Sequence, residues 1–521
     1  MKLFDTSRWI DIEALPPDPT PPKTLGRFFL KYMGQIKGVL IALAIGNMLA
    51  ALFDVSLPWF VGQIIDRIGE AKDWESLWTE QKSFFLFAAF VIAVIIPIES
   101  ALHYWLLTIF MPRFAPKIRR QSHWYVLQQS VSFFHNDFAG RIANKLSQTP
   151  YAVRSVVERG IEALWYVITF AGTTFILLFQ ANVLLTIPAL LWLLTYMGIL
   201  RFFIPRIRRQ SEQNADDYSD LIGKITDSYT NILTVKLFAR KENEDRYTLK
   251  SMHKHARSFE KRERLIWIMR SLLSLIHHVM LVSSAAVALY LWGQGAITAG
   301  TIAMALPLLL QITRMSGWIM SELTTIFENI GIVDDGIKTI SQPLSITDRP
   351  NAADLKVTNG ALTIQNIAFH YGKKTGIIDD LSLAIPAEQK LGLIGPSGAG
   401  KSTLVSLLLR LYDLEGGKIL IDGQDIAAVT QDSLRRQIAV VTQDTSLLHR
   451  SIRDNVTYGA PDATDSRINE ALRRARADVF IETLTDSHGR RGLDAHVGER
   501  GVKLSGGQRQ RIAIARAILK D

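Results

Sequence analysis

Cysteine is missing from all 521 residues of the chain. That excludes disulfides, thiolate metal sites and a cysteine nucleophile, and it leaves the redox compartment open. A targeting segment is missing too. MKLFDTSRWIDIEALPPDPTPPK has no apolar h-region and carries several acids, so it reads as neither a secretory signal nor a transit peptide. Acids are in deficit, 49 against 59 Lys and Arg, for a formal charge of +10. Such an excess arises from a nucleic-acid-binding face or from the cytoplasmic loops of a membrane protein, and its placement decides between them.

What is plentiful is apolar: 48% of the residues are hydrophobic while 21% are charged, which predicts that the two kinds are segregated along the chain. Six segments, 39–62, 84–108, 164–180, 183–203, 266–292 and 302–327, are apolar over roughly the 20 residues that a helix needs to cross a bilayer. The third is short and the sixth carries polar residues. Pro58, Pro97, Pro188 and Pro307 fall inside these spans, where neighbouring helices can satisfy the freed backbone groups.

Arg113, Lys117, Arg119 and Arg120 follow the second span. Arg206, Arg208 and Arg209 follow the fourth, and Lys254, Arg257, Lys261, Arg262 and Arg264 precede the fifth. The links at 181–182 and 293–296 on the other side are tiny and uncharged, and the link over 66–82 mixes acids with a few bases. The positive-inside rule then puts the N-terminus, both long loops and the C-terminal half in the cytoplasm. The charge is explained without nucleic acid, and a multi-pass protein of a bacterial inner membrane is expected. The inner loops, 113–159 and 206–264, are too long for turns and read as helical continuations of the spans; KITDSYTNILTVKLFARKENEDR keeps apolar residues at near-helical spacing. LGRFFLKYMG, before the first span, reads either as an interfacial amphipathic helix or as an early start of that span.

Composition shifts near Ser341, where SQPLSITDRPNAADLKVTNG reads as a linker. Beyond it ALTIQNIAFHY, LGLIG, KILIDG and IAVVTQ look like short strands between helical patterns, as in an α/β domain with a largely parallel sheet. The expected division is a cytoplasmic segment 1–22, a six-helix membrane domain 23–340, a linker 341–356 and an α/β P-loop domain 357–521. LGLIGPSGAGKSTLVSLLLRLY carries G-x-x-x-x-G-K-S between an apolar strand and a helix. Gly395, Gly398 and Gly400 free the backbone so that N–H groups converge on phosphate oxygens. Pro396, Ser397 and Ala399 complete the loop, and the helix that continues through Thr403 offers its positive end. Lys401 reaches the β- and γ-phosphates and Ser402 can ligate Mg²⁺, so ATP with Mg²⁺ is the expected ligand.

This motif string resembles the nucleotide-binding domain of an ABC transporter. The membrane half resembles the six-helix domain of the ABC exporter class, which includes bacterial lipid and multidrug exporters. Leu504, Ser505, Gly506, Gly507 and Gln508 spell LSGGQ, similar to the family signature. The resemblance implies that they bind the γ-phosphate of ATP held by a partner domain's P-loop. The physics agrees, because Ser505, Gly506 and Gly507 open a helix whose Ile512, Ala515 and Leu519 form one apolar stripe, an anion-binding helix start offered in trans.

By the same resemblance Tyr371, in FHYG, stacks on adenine. Gln443, in VVTQDTSLL, touches Mg²⁺ and water and senses the membrane domain. VGERG around Glu499 resembles the exporter loop that contacts the membrane-helix extensions. SFFHNDFAGRIANKL and VKLFARKENE, with Lys236 and Glu244, resemble the first and second intracellular loops.

The family also implies an Asp-Glu strand after the signature helix, then a switch histidine. The sequence reaches Asp521 where that strand is expected and so reads as cut short. KILIDGQDI offers Asp422 as a substitute, but Gly follows it, and in the family this is a structural strand and turn. The expected protein is an ATP-driven half-transporter, paired with a second copy or a related half-transporter. It would export a hydrophobic, lipid-like or drug-like cargo from the cytoplasm or inner leaflet, among membrane lipids. The alternative is a non-hydrolysing ATP-binding subunit that completes a catalytic partner's site. Residues 133–138 and 218–222 are expected to carry motion to the membrane. Asp54, Glu99, His103, His277, His278 and Arg314 are candidates for the translocation path. Glu99 and His103, one turn apart, could instead satisfy each other. Trp59, Trp105, Trp165, Trp267 and Trp292 read as interfacial anchors.

Overall fold

The computed structural model describes residues 9–137, 139–371, 377–443, 445–498 and 502–520. The chain forms two compact units, one of residues 1–127 and 140–342, the other of 128–139 and 343–521.

The first unit is helical. α1 (Leu25–Gly34) buries Phe28 and Tyr32 and is separated from α2 (Lys37–Glu70) by a break at Gln35 and Ile36. LGRFFLKYMG is thus a helix of its own rather than an early start of the first span. α3 (Trp74–Phe90) runs through a π-helical turn (Val91–Ile95) into α4 (Ile96–Leu127). Pro97, in the first turn of α4, lacks the N–H that a regular helix would donate there, and the widened turn lies directly before it. After α5 (Val131–Asn136), which belongs to the second unit, come α6 (Ala139–Ala181), α7 (Val183–Thr230), the short α8 (Ile232–Leu237), α9 (Lys241–Gly293) and α10 (Ala299–Ile340).

Among the described residues six helical stretches are long and apolar enough to cross a membrane, each containing one of the six predicted segments. They are far longer than a crossing needs. α9, with 53 residues, runs about 80 Å at 1.5 Å per residue, against a hydrocarbon layer about 30 Å thick. The charged loops are therefore helical continuations. α7 and α9 pair along their lengths, and Lys254 holds the nearly buried Asp217 at 2.8 Å. That ammonium keeps the Asp217 carboxyl below its ordinary range. α2 packs on α10 through Gly62: a Cβ there would lie 2.6 Å from the Gly300 carbonyl oxygen. The Gly300 N–H donates to Asp66 Oδ1 at 2.8 Å, and the Thr298 hydroxyl donates to Oδ2 of the same carboxylate at 2.8 Å. Asp66 thereby caps the start of α10 from another helix.

The second unit contains β1 (Leu362–Phe369), β2 (Ile378–Ile385), α11 (Lys401–Leu408), β3 (Gly416–Ile421), β4 (Gln424–Asp425), α12 (Gln431–Arg436), α13 (Ile452–Val456), α14 (Asp465–Arg474), α15 (Asp478–Ile481) and α16 (Gly506–Lys520). The strands form one antiparallel sheet in the order β2-β1-β3-β4, with Leu362 opposite both Ile385 and Ile421. Ile364, Ile367, Phe369 and Ile419 face Leu404 and Leu407 of α11 in its core. A second core joins α13, α14 and α16 through Ile452, Ile468, Leu472, Ile512 and Leu519.

The expected parallel sheet is corrected here. ALTIQNIAFHY and KILIDG are strands, but LGLIG and IAVVTQ form no ladder among the described residues. Leu391, Leu393, Ile394, Val440 and Val441 are exposed. A strand is defined by hydrogen bonds to a neighbour, and no described segment supplies one for these two runs.

Candidate nucleotide site

The loop before α11 takes the conformation its glycines permit. Gly398 (φ +85°) and Gly400 (φ +83°) lie in the left-handed region, and Gly400 is the N-cap of α11. A Cβ on Gly400 would also meet Ile377 Cγ2 at 2.9 Å, so backbone torsion and space both require glycine. Lys401 Nζ donates to the carbonyl oxygens of Gly395 (2.7 Å) and Pro396 (2.8 Å), which places the ammonium inside the arc of the loop. Ser402 is exposed in the first turn of α11, and its hydroxyl has no hydrogen bond among the described residues, whereas Thr403 is buried. A free hydroxyl oxygen beside a helix N-terminus fits a hard cation such as Mg²⁺ that itself carries phosphate.

Tyr371 stands beside this loop. Its hydroxyl is 3.5 Å from Thr403 Oγ1, and its ring meets Phe369 edge-on at 4.6 Å and Tyr412 at 5.1 Å. A cavity of about 600 Å³ opens against the three rings and is also lined by His135 of α5, Asp413 and Glu415. Tyr412 was not singled out from sequence, and the stretch that contains α5 was expected to carry motion rather than to line this cavity. Aromatic residues near a P-loop are common, and only the fold brings these to Tyr371.

The signature opens α16 as a reciprocal capping box. The Ser505 N–H donates to Gln508 Oε1 at 2.8 Å, and the Gln508 N–H donates to Ser505 Oγ at 3.3 Å. Ser505, Gly506 and Gly507 are exposed, while Ile512, Ala515 and Leu519 are buried, so the predicted stripe is present. Among the described residues no hydrogen bond joins the signature or Gln443 to the phosphate loop, and Gln443 is exposed. Glu499 and Phe138 lie outside the described residues. Asp422 is a structural group: its carboxylate accepts the N–H groups of Thr358, Asn359, Gly360 and Ala361 at 2.7 to 3.1 Å. Those bonds, with Gly360 foremost, hold it far below the usual carboxylate range.

In the first unit the polar candidates have separate surroundings. Asp54 of α2 accepts from the Tyr166 hydroxyl of α6 at 2.5 Å. Among the described residues no hydrogen bond joins Glu99 to His103, and buried Glu99 Oε1 and His103 Nδ1 have no hydrogen-bond partner. His277 lies 3.1 Å from the Ser316 hydroxyl and beside Trp192, while His278 turns to the Ser274 carbonyl of its own helix, so the two point different ways. Arg314 is exposed with no ion-pair partner among the described residues. Trp267 and Trp292 are exposed, and Trp105 packs on Trp9.

Comparison with known proteins agrees with this geometry. The family described as the ABC transporter transmembrane region matches residues 40–316, and the family described as ABC transporter matches 378–521. An ABC transporter ATP-binding protein of Haemophilus influenzae is 41% identical over 505 residues, which is 96% of this chain and 82% of that protein. An ATM1-type heavy metal exporter of Novosphingobium aromaticivorans is 32% identical over 382 residues, 71% of this chain and 62% of its own. The structure of a bacterial Atm1-family ABC exporter with ATP bound superposes with a TM-score of 0.79 at 25% identity, covering 93% of this chain and 84% of that one.

Proposed function

The chain belongs to the ABC transporter family, as an exporter half-transporter of Atm1 type, and from that premise we propose that it works as a dimer that exports a hydrophobic or amphipathic cargo on ATP hydrolysis. A second copy is the simplest partner. The observation that carries the reading is the pair of helix starts in one chain, at Gly400 and at Ser505, with no hydrogen bond between them among the described residues. One phosphate group needs donors from both sides, and a dimer supplies each loop with the other chain's signature.

Within each site the loop N–H groups and Lys401 hold the phosphates, Tyr371 holds the base, and Ser402 with Gln443 would hold Mg²⁺. The metal, when bound, offsets charge that builds on the transferred phosphoryl group. Closure of the signature onto the opposing loop excludes water. α5 and the cytoplasmic part of α7 around Tyr218 pass the motion toward the membrane, in a population shift set by how much better the closed form binds nucleotide. The N-terminus and second unit lie on the cytoplasmic side of a bacterial inner membrane.

Lys401→Ala tests this in the full-length protein. Losing a charge-assisted contact to phosphate should weaken ATP binding by about tenfold or more and abolish ATP-dependent transport. Transport that survives the substitution would refute the proposal.

A further inference from the structure

The nucleotide motifs leave one side chain at the end of β1 unassigned. His370 lies between Phe369, the last residue of β1, and Tyr371. Its Nδ1 is 2.8 Å from Glu415 Oε2 and its Nε2 is 2.6 Å from Asp379 Oδ1. Asp379 belongs to β2 and Glu415 directly precedes β3, the strands that flank β1 on its two sides. A neutral imidazole has a single N–H and would turn a lone pair toward one of these carboxylates; only the imidazolium donates to both. The arrangement is a cationic clamp across three strands. Asp379 first, then Glu415, hold the His370 pKa above the ordinary histidine value.

The residue after the clamp is under backbone strain. Tyr371 has φ +53°, a left-handed conformation that a bulky side chain keeps only when its surroundings impose it. Phe369 and Tyr412 hold the ring. The clamp fixes the backbone immediately before it.

We propose that His370 is a positioning residue for ATP binding: bridging Asp379 and Glu415, it fixes the Tyr371 ring where the adenine base stacks, so that nucleotide affinity follows the charge on His370. The inference rests on Tyr371 being the adenine platform. The direction follows from linkage. The clamp is complete at low pH, and it is lost as pH rises through the raised pKa of His370. The other charged or titratable groups at this corner are Asp413, Tyr412, Tyr371 and His135 of α5. Asp413 is engaged by Arg410 at 2.9 Å, and burial pushes the Tyr412 hydroxyl up, away from the neutral range. His135 makes no hydrogen bond to His370, whose two ring nitrogens are taken by Glu415 and Asp379, so the variants below separate the two.

The test is binding of trinitrophenyl-ATP with Mg²⁺ to the full-length protein in lipid nanodiscs, from about pH 6 to about pH 9. The wild type should lose about three- to tenfold in affinity over that range, as expected for two exposed charge-assisted bonds. His370→Gln should bind weakly at every pH, with that drop absent. His370→Arg keeps a cation with several donors and should restore tight binding that stays flat with pH. If His370→Gln matches the wild type near pH 6, or if the drop persists in His370→Arg, the proposal is overturned. Tyr371→Ala separates this failure from that of the underlying reading. Unchanged affinity in that variant would remove the adenine platform itself, whereas weakened affinity beside a flat wild-type profile would remove only the clamp.

Discussion

Two carboxylates in the second unit show how environment assigns a residue its work. Asp422 follows an apolar strand, as a metal-holding acid might in a nucleotide hydrolase, yet its carboxylate is committed to a backbone turn, accepting four N–H groups, three on Oδ2 and one on Oδ1. Its role is to tie the turn over 358–361 to the end of β3. Because its pKa is depressed, its contribution to stability is full above the ordinary carboxylate range, about pH 4, and is lost as pH falls through its own lower value. Asp422→Asn should therefore lower the thermal midpoint at neutral pH, with nucleotide affinity unchanged; differential scanning fluorimetry with and without ATP reads both. An altered affinity at unchanged midpoint would return Asp422 to the site. The residues that were legible in the sequence are those whose chemistry is local, namely Lys401, Ser402 and the Ser505–Gln508 box. His370 was not legible, because its partners Asp379 and Glu415 come from two other strands and only the sheet order brings them together.

Among the elements, the long helices were the easiest to foresee. Twenty apolar residues in a row have few fates, and the amphipathic charge pattern that follows them continues a helix already begun. The π-helical turn at Val91–Ile95 left no trace in the apolar pattern, since a local widening does not change which residues are apolar; its one sign in the sequence is Pro97 just beyond it. The two failed strands teach the complementary lesson: LGLIG and IAVVTQ have strand composition, but a strand also needs a neighbour. Close contacts between helices are equally invisible from sequence. Gly62→Val should cost about 1–3 kcal/mol through overpacking against the Gly300 carbonyl, read as a lower unfolding midpoint by tryptophan fluorescence. Gly198→Ala, in α7 with nothing within 4 Å of its added methyl, should be neutral or stabilise by up to about 1 kcal/mol. Equal effects at the two sites would mean that α2 and α10 do not pack as described.

The account of the whole molecule turns on geometry between chains. Each chain carries a phosphate loop and a signature, each is exposed, and each ends in helix N–H groups suited to the same anion. If they serve different nucleotides, defects in the two motifs should complement when placed on different chains. The decisive measurement is ATP hydrolysis by full-length protein co-expressed as two differently tagged chains, one Lys401→Ala and the other Ser505→Arg, compared with either variant alone. A mixed dimer would retain one intact site, formed by the normal loop of one chain and the normal signature of the other. With random pairing the account predicts roughly a quarter of wild-type activity in the mixture and almost none in either variant alone. Activity in the mixture no higher than in the single variants would contradict it, and would place loop and signature on the same nucleotide within one chain.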